Sequence, residues 1–167
     1  HEWRNYNKND DDLSKEDINK IHIVEDMLEK YWNSGKMPIT MNKIMKQVDS
    51  PFYFFLDLGN YYKKHNYKHI NYQNDELFSY LNSYLNDKYL SDLIEDYLLL
   101  AKVKPKRWWK ATLNKEDSRK IMHKLIKEYD LNQEDIFRYS LIEELDDYYL
   151  VATYKNYQVI INKYPKI

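Results

Sequence analysis

Two histidines four residues apart, pairs of adjacent carboxylates and one basic-aromatic cluster are the groups in this chain with chemical reach. His65 and His69 have the spacing that lets one helix turn offer two imidazoles to a metal ion. Asn66 and an expected helix end lie between them, and no third ligand stands nearby. A solvated helix terminus, where positive charge suits the dipole, is the simpler reading. His22 and His123 are isolated on helical stretches, and a general base needs a partner within hydrogen-bond reach. Paired acids occur at Glu25-Asp26, Glu95-Asp96, Glu143-Glu144 and Asp146-Asp147, among other places. Catalytic carboxylates need environments that push their pKa values apart. Neighbouring acids on a helix point different ways, so these pairs read as solvated faces.

Trp108 and Trp109 stand among Lys104, Lys106, Arg107 and Lys110. Aromatics interleaved with cations can stack bases and hold phosphates. The simpler reading has one tryptophan plugging the core while the cations stay wet. Tyr31, Trp32 and Asn33 read as helix-end packing. Tryptophan and tyrosine are common interface anchors, so the candidate docking surface comprises Tyr31, Trp32, Asn33, Lys106, Arg107, Trp108 and Trp109. No catalytic, cofactor-binding or metal-binding residue is assigned.

The composition removes several function classes. Net charge is −1, with 26 basic and 27 acidic residues, which argues against a dedicated nucleic-acid binder. Only Gly35 and Gly59 are present, too few for a phosphate-cradling loop, a dinucleotide fingerprint or a serine elbow. The chain has no cysteine, which excludes disulfides, zinc knuckles and thiolate-held iron–sulfur clusters within it. No apolar run reaches membrane-spanning length and no leader pattern opens the chain, so a cytoplasmic location without membrane contact is expected. His1 in place of Met reads as a piece of a longer protein. The abundance of Asn, Lys, Ile and Tyr matches AT-rich codons, so the 18 tyrosines are partly compositional bias.

The elements that must position these groups follow from periodicity and caps. An α+β fold is expected: about six helices, then a small C-terminal three-stranded antiparallel meander. Residues 1–13 read as a linker from an upstream domain, and 14–167 as one domain. Ser14 caps a first helix with Ile18, Ile21, Val24, Leu28 and Tyr31 on one face, stopped by Gly35 and then Pro38. Thr40 is expected to cap a second helix, and Ser50-Pro51 to start a third. The third carries Phe52, Phe54, Phe55, Leu56, Leu58, Tyr61 and Tyr62 around most of its circumference, which predicts a buried central helix. Asn74 is expected to cap a fourth helix; a fifth follows over Leu90–Ala101, and Lys102–Trp109 is a connector. Asn114 caps a sixth. Ile136–Leu145, Tyr148–Tyr154 and Tyr157–Tyr164 read as strands, with turns at Asp146-Asp147 and Lys155-Asn156.

Three blocks carry a family resemblance: MLEKYWNSGKMPIT at Met27–Thr40, SPFYFFLDLGNYY at Ser50–Tyr62 and DYLLLAKVKPKRWW at Asp96–Trp109. They resemble the uncharacterised C-terminal domain of bacterial cobalamin-binding radical-SAM proteins. Such proteins are often labelled as Mg-protoporphyrin IX monomethyl ester oxidative-cyclase-like. The resemblance implies a parent protein with a cobalamin-binding domain and a radical-SAM barrel ahead of this chain. Its CxxxCxxC motif would hold a [4Fe–4S] cluster that cleaves S-adenosylmethionine. This chain would then be a non-catalytic accessory domain that docks on or closes the barrel, its partners being those upstream domains. The alternative is a free-standing helical module that binds protein or nucleic acid. A third reading, an independent enzyme using histidines and carboxylates, has the least in the sequence to support it.

Overall fold

A computed structural model describes residues 13–166, so the expected linker lies, apart from Leu13, outside the described residues. The fold is α+β, with seven helices and a three-stranded antiparallel sheet among the described residues. The chain divides into two compact units, His1–Tyr72 and Gln73–Ile167. No helix of the described residues is long and apolar enough to cross a membrane.

The first unit holds α1 (Lys15–Leu28), a π-helical turn (Glu29–Asn33), α2 (Pro38–Gln47) and α3 (Pro51–Lys64). Ser14 caps α1 by accepting from the Asp17 amide at 3.1 Å, and Ser50 caps α3 by accepting from Tyr53, both as the sequence indicates. Thr40 does not cap α2. That helix starts at Pro38 after Met37, leaving Thr40 buried inside it. Proline's fixed φ and missing N–H suit a first helical position, so Pro38 opens an element instead of confirming a stop.

α3 packs along α1, and Gly59 is the point of closest approach. A Cβ built on Gly59 would sit 2.1 Å from Ile23 Cγ2. α3 is not buried on all sides: Phe55, Leu56, Leu58 and Tyr62 are covered, while Phe52 is 40 % and Tyr53 62 % exposed. The apolar face of α1 is likewise only partly covered, with Met27 buried but Ile21, Val24 and Leu28 half-buried.

The second unit contains α4 (Asn74–Leu85), α5 (Leu90–Leu100), α6 (Lys115–Tyr129), α7 (Gln133–Tyr139), β1 (Ser140–Glu144), β2 (Tyr148–Lys155) and β3 (Gln158–Pro165). Gln73, not Asn74, caps α4, in a reciprocal capping box with Glu76. α7 replaces the first half of the expected strand Ile136–Leu145. Asn132 accepts from the Asp135 amide at 2.9 Å, and Glu134 and Asp135 fill the first turn. This start signal outweighs the β-branched and aromatic character of the residues that follow.

The sheet order is β1-β2-β3, with β2 central. Its period-two alternation separates two cores. Leu141, Leu150, Ala152 and Tyr154 pack with Ile94, Leu98 and Trp109 on one face. Ile142, Tyr149 and Val151 pack with Leu125 and Ile136 on the other. A two-residue turn joins β2 to β3, with Asn156 and Tyr157 both at positive φ, 56° and 58°. That is the left-handed pair a tight hairpin demands.

Gly59→Ala tests the helix contact in the first unit. Alanine would raise helix propensity by about 1 kcal/mol, while overpacking costs about 1–3 kcal/mol. The steric term wins because the obstructing methyl belongs to a β-branched side chain with little rotamer freedom. Thermal unfolding of Gly59→Ala should show a lower Tm; a Tm at or above wild type contradicts this packing.

Candidate functional sites, one in each unit

In the first unit the chemistry gathers around the π-turn. The extra residue is accommodated by a bond from the Ser34 amide to the Glu29 carbonyl at 3.1 Å, and single π-turns of this kind recur at functional sites. Tyr31 points inward, is buried, and shares a hydroxyl–hydroxyl hydrogen bond of 2.5 Å with buried Tyr62. Trp32, the next residue, is 43 % exposed. Asn33 is exposed and donates to Glu29. Lys30 is buried and donates to Asp26, with its ammonium 5.4 Å from the Tyr72 ring centroid. Asp26 also meets His69 Nδ1 at 2.8 Å.

Asp26 and His69 border a cavity of about 380 Å³ together with Asn19, His22 and Lys63. A carboxylate on Nδ1 that accepts its proton fixes one imidazole tautomer and leaves Nε2 as a proton acceptor. That is the base-and-orienter half of an acid–base site, but no hydroxyl or thiol nucleophile lines the cavity. The spacing of His65 and His69 does not bring them together on one helix turn. His65 caps the end of α3 against Tyr61 and Tyr67, while His69 lies beyond the helix on Asp26. No group of three metal-capable side chains comes together among the described residues.

In the second unit the connector between α5 and α6 is pinned to β1. Glu143 is fully buried, not solvated as its pairing with Glu144 suggests. Arg107 Nε donates to Glu143 Oε1, and Arg107 also donates to the Ile142 carbonyl at 3.3 Å. Thr112 Oγ1 donates to Glu143 Oε2 at 2.7 Å and accepts from the Glu144 amide at 2.8 Å. Residue 143 shares a face with Leu141, the face that meets the connector. Trp109 is buried in that core and Trp108 packs half-buried beside it, their rings T-shaped at 5.3 Å. The core-plug reading of the tryptophans therefore holds for Trp109. Lys106 remains exposed. Asp96, another member of an acid pair, is also buried.

The sequence singled out the connector's cations and indoles but missed Glu143. The missing partner lies 36 residues further on, and only strand register brings it to Arg107. The Asp26–Lys30 pair has ordinary i,i+4 helical spacing, while His69 and Tyr62 reach Asp26 and Tyr31 only through tertiary contact.

A family model described as a protein of unknown function (DUF4080) matches residues 8–164. The chain belongs to that family. Comparisons with curated proteins and with solved structures found no match.

Two predictions follow from these contacts. Arg107→Ala leaves a buried carboxylate without its cation and should cost about 2–3 kcal/mol in urea unfolding, the low end because the Arg107 side chain is 29 % exposed. A loss under about 0.5 kcal/mol, the ordinary surface value, contradicts the anchoring. The second concerns alkali. Burial first, then Tyr62, holds the Tyr31 hydroxyl well above the ordinary tyrosine range. The unfolded chain loses that proton near pH 10, so its contribution is complete below about pH 10 and fades as pH rises toward the folded value. Tyr31→Phe should cost about 1 kcal/mol at neutral pH and flatten the alkaline fall in stability above pH 10. An unchanged alkaline slope contradicts it.

Proposed function

We propose that this chain is an accessory domain of a cobalamin-dependent radical-SAM protein, without catalysis of its own, docking on the barrel of that protein. The family match supports the assignment to an uncharacterised domain; the three blocks named above supply the radical-SAM connection. Two of them carry the candidate features: Met27–Thr40 contains the π-turn, and Asp96–Trp109 contains the pinned connector. The chain has no cysteine, so the cluster that initiates radical chemistry would be held by the barrel's own thiolates. S-adenosylmethionine and cobalamin would likewise be bound by the parent's other domains.

One observation carries the docking part. The half-covered face of α1 and the exposed start of α3 form an apolar groove of about 500 Å³, lined by Leu13, Ile21, Val24, Leu28, Phe52 and Tyr53 among others. Phe52 is the phenylalanine of the Ser-Pro-Phe block, and it faces the groove instead of the core. Large aromatics left open beside a helix's apolar stripe mark interaction surfaces. A domain carried on the same chain would meet the groove as an intramolecular partner. A high effective concentration then lets a modest apolar patch dock stably. A closed barrel mouth also excludes water, which radical intermediates require.

Titrating the separately produced barrel of the natural gene product with this chain tests the reading. Binding is expected, and Phe52→Asp with Tyr53→Asp should weaken it at least about tenfold, as loss of central aromatic anchors does. No binding, or binding indifferent to both substitutions, contradicts the docking. A natural reading frame that encodes no CxxxCxxC motif contradicts the assignment to radical-SAM proteins.

A further inference from the structure

The second unit carries a cavity of about 390 Å³ between the connector, the end of α7 and the tip of the β2–β3 hairpin. Its cations are Lys102, Lys104 and Arg138, its rings Tyr139, Tyr154 and Tyr157, and no carboxylate lines it. In a chain whose acids and bases nearly balance, a wall with cations of one sign calls for a counter-charge. Lys102 and Lys104 have no acidic partner among the described residues. Arg138 has only an exposed pair with Glu134 at 3.5 Å, an interaction worth little in water. Burial, together with nearby Arg107, pulls the Lys104 ammonium below the ordinary lysine range. Arg107 itself is taken up by Glu143. Lys104 is nonetheless exposed, with no carboxylate against it, and an anion entering the cavity would supply that partner.

The aromatic side of the cavity has the same asymmetry. The Tyr154 hydroxyl is buried and donates to the Leu98 carbonyl at 2.6 Å. Tyr139 is approached by Arg138 and Lys155, at 5.4 and 5.5 Å. Tyr157 is different: its ring is 78 % exposed, on a backbone at φ 58°. A left-handed tyrosine costs about 1–2 kcal/mol relative to glycine, and no burial of the ring offsets that cost. The two-residue hairpin sets that backbone, and the exposed ring is thereby held at the tip beside the cavity.

We propose that this cavity is a nucleoside diphosphate site, with the phosphates held by Lys102, Lys104 and Arg138 and the base stacked on Tyr157. Three cations match the charge of a diphosphate, and the volume lies within the range of small-ligand sites, about 300–1,000 Å³. The exposed ring supplies a stacking face. This inference is independent of docking in the first unit.

Isothermal titration of the whole chain with ADP, inorganic pyrophosphate, adenosine and a short oligo(dT) tests it. ADP should bind more tightly than pyrophosphate, with adenosine weakest. Lys104→Gln should weaken ADP and pyrophosphate about tenfold, the range of a charge-assisted contact. Tyr157→Gly should weaken ADP severalfold and leave pyrophosphate unchanged; glycine fits the turn, so loss of folding is not a confounder. Absence of ADP binding at millimolar concentration, or indifference to Lys104→Gln, overturns the site. Equal ADP affinity in wild type and Tyr157→Gly overturns the nucleoside part. Oligo(dT) binding tighter than ADP with steep salt dependence would instead make the surface a single-strand groove.

Discussion

A carboxylate with no access to water must be paired or it pulls its surroundings apart, and Glu143 imposes that constraint on the second unit. Removing a charge from water costs several kcal/mol before any partner is found. Glu143 meets that cost with one arginine and one threonine, all contributed by the connector. The connector is therefore held as a fixed strap across β1. That strap carries Trp109 into the core formed by α5 and the sheet, and it sets Lys102 and Lys104 beside the hairpin tip. Without the pairing, a segment bearing Pro105 and no regular hydrogen bonding would have little reason to adopt one course.

The first unit solves a different problem with scarce glycine. One of the two glycines sits mid-helix, where it costs about 1 kcal/mol relative to alanine, and its use is the close approach of α1 to α3. The other, Gly35, takes φ 66° just past the π-turn. Elsewhere asparagine and aspartate do the work of glycine: Asn66, Asn71, Asn86, Asp87, Asp130 and Asn156 all adopt positive φ. Their short polar side chains tolerate the left-handed region better than other residues. Asn86 and Asp130 end α4 and α6 in this way. Tyr157 alone breaks the pattern among the described residues.

The sequence made the fold class legible because caps and periodicity are local. Ser14, Ser50 and Asn114 each cap the helix expected of them. The strands β2 and β3 fall within a residue or so of their expected bounds. Local misreadings arose where two start signals competed: Pro38 over Thr40, Gln73 with Glu76 over Asn74, and Asn132 over the β-forming run behind it. Gly59 held a usable clue, since a mid-helix glycine needs a packing reason. The sites were less legible. The connector's cations and tryptophans could be marked as unusual, but Glu143, Asp26 and Tyr62 join their partners through register and tertiary contact. The π-turn has no periodic signature; Tyr31 within it is buried, as the apolar stripe of the first helix indicates, while Trp32 beside it is exposed.

The two units offer different surfaces, one apolar and one cationic, and the second exists only if the strap is held by its buried acid. Hydrogen exchange on Glu143→Gln measures this directly. The account predicts faster exchange across Lys102–Thr112 and at the Glu144 amide, with α1 to α3 unchanged. Connector amides that exchange at wild-type rates in the variant would contradict it.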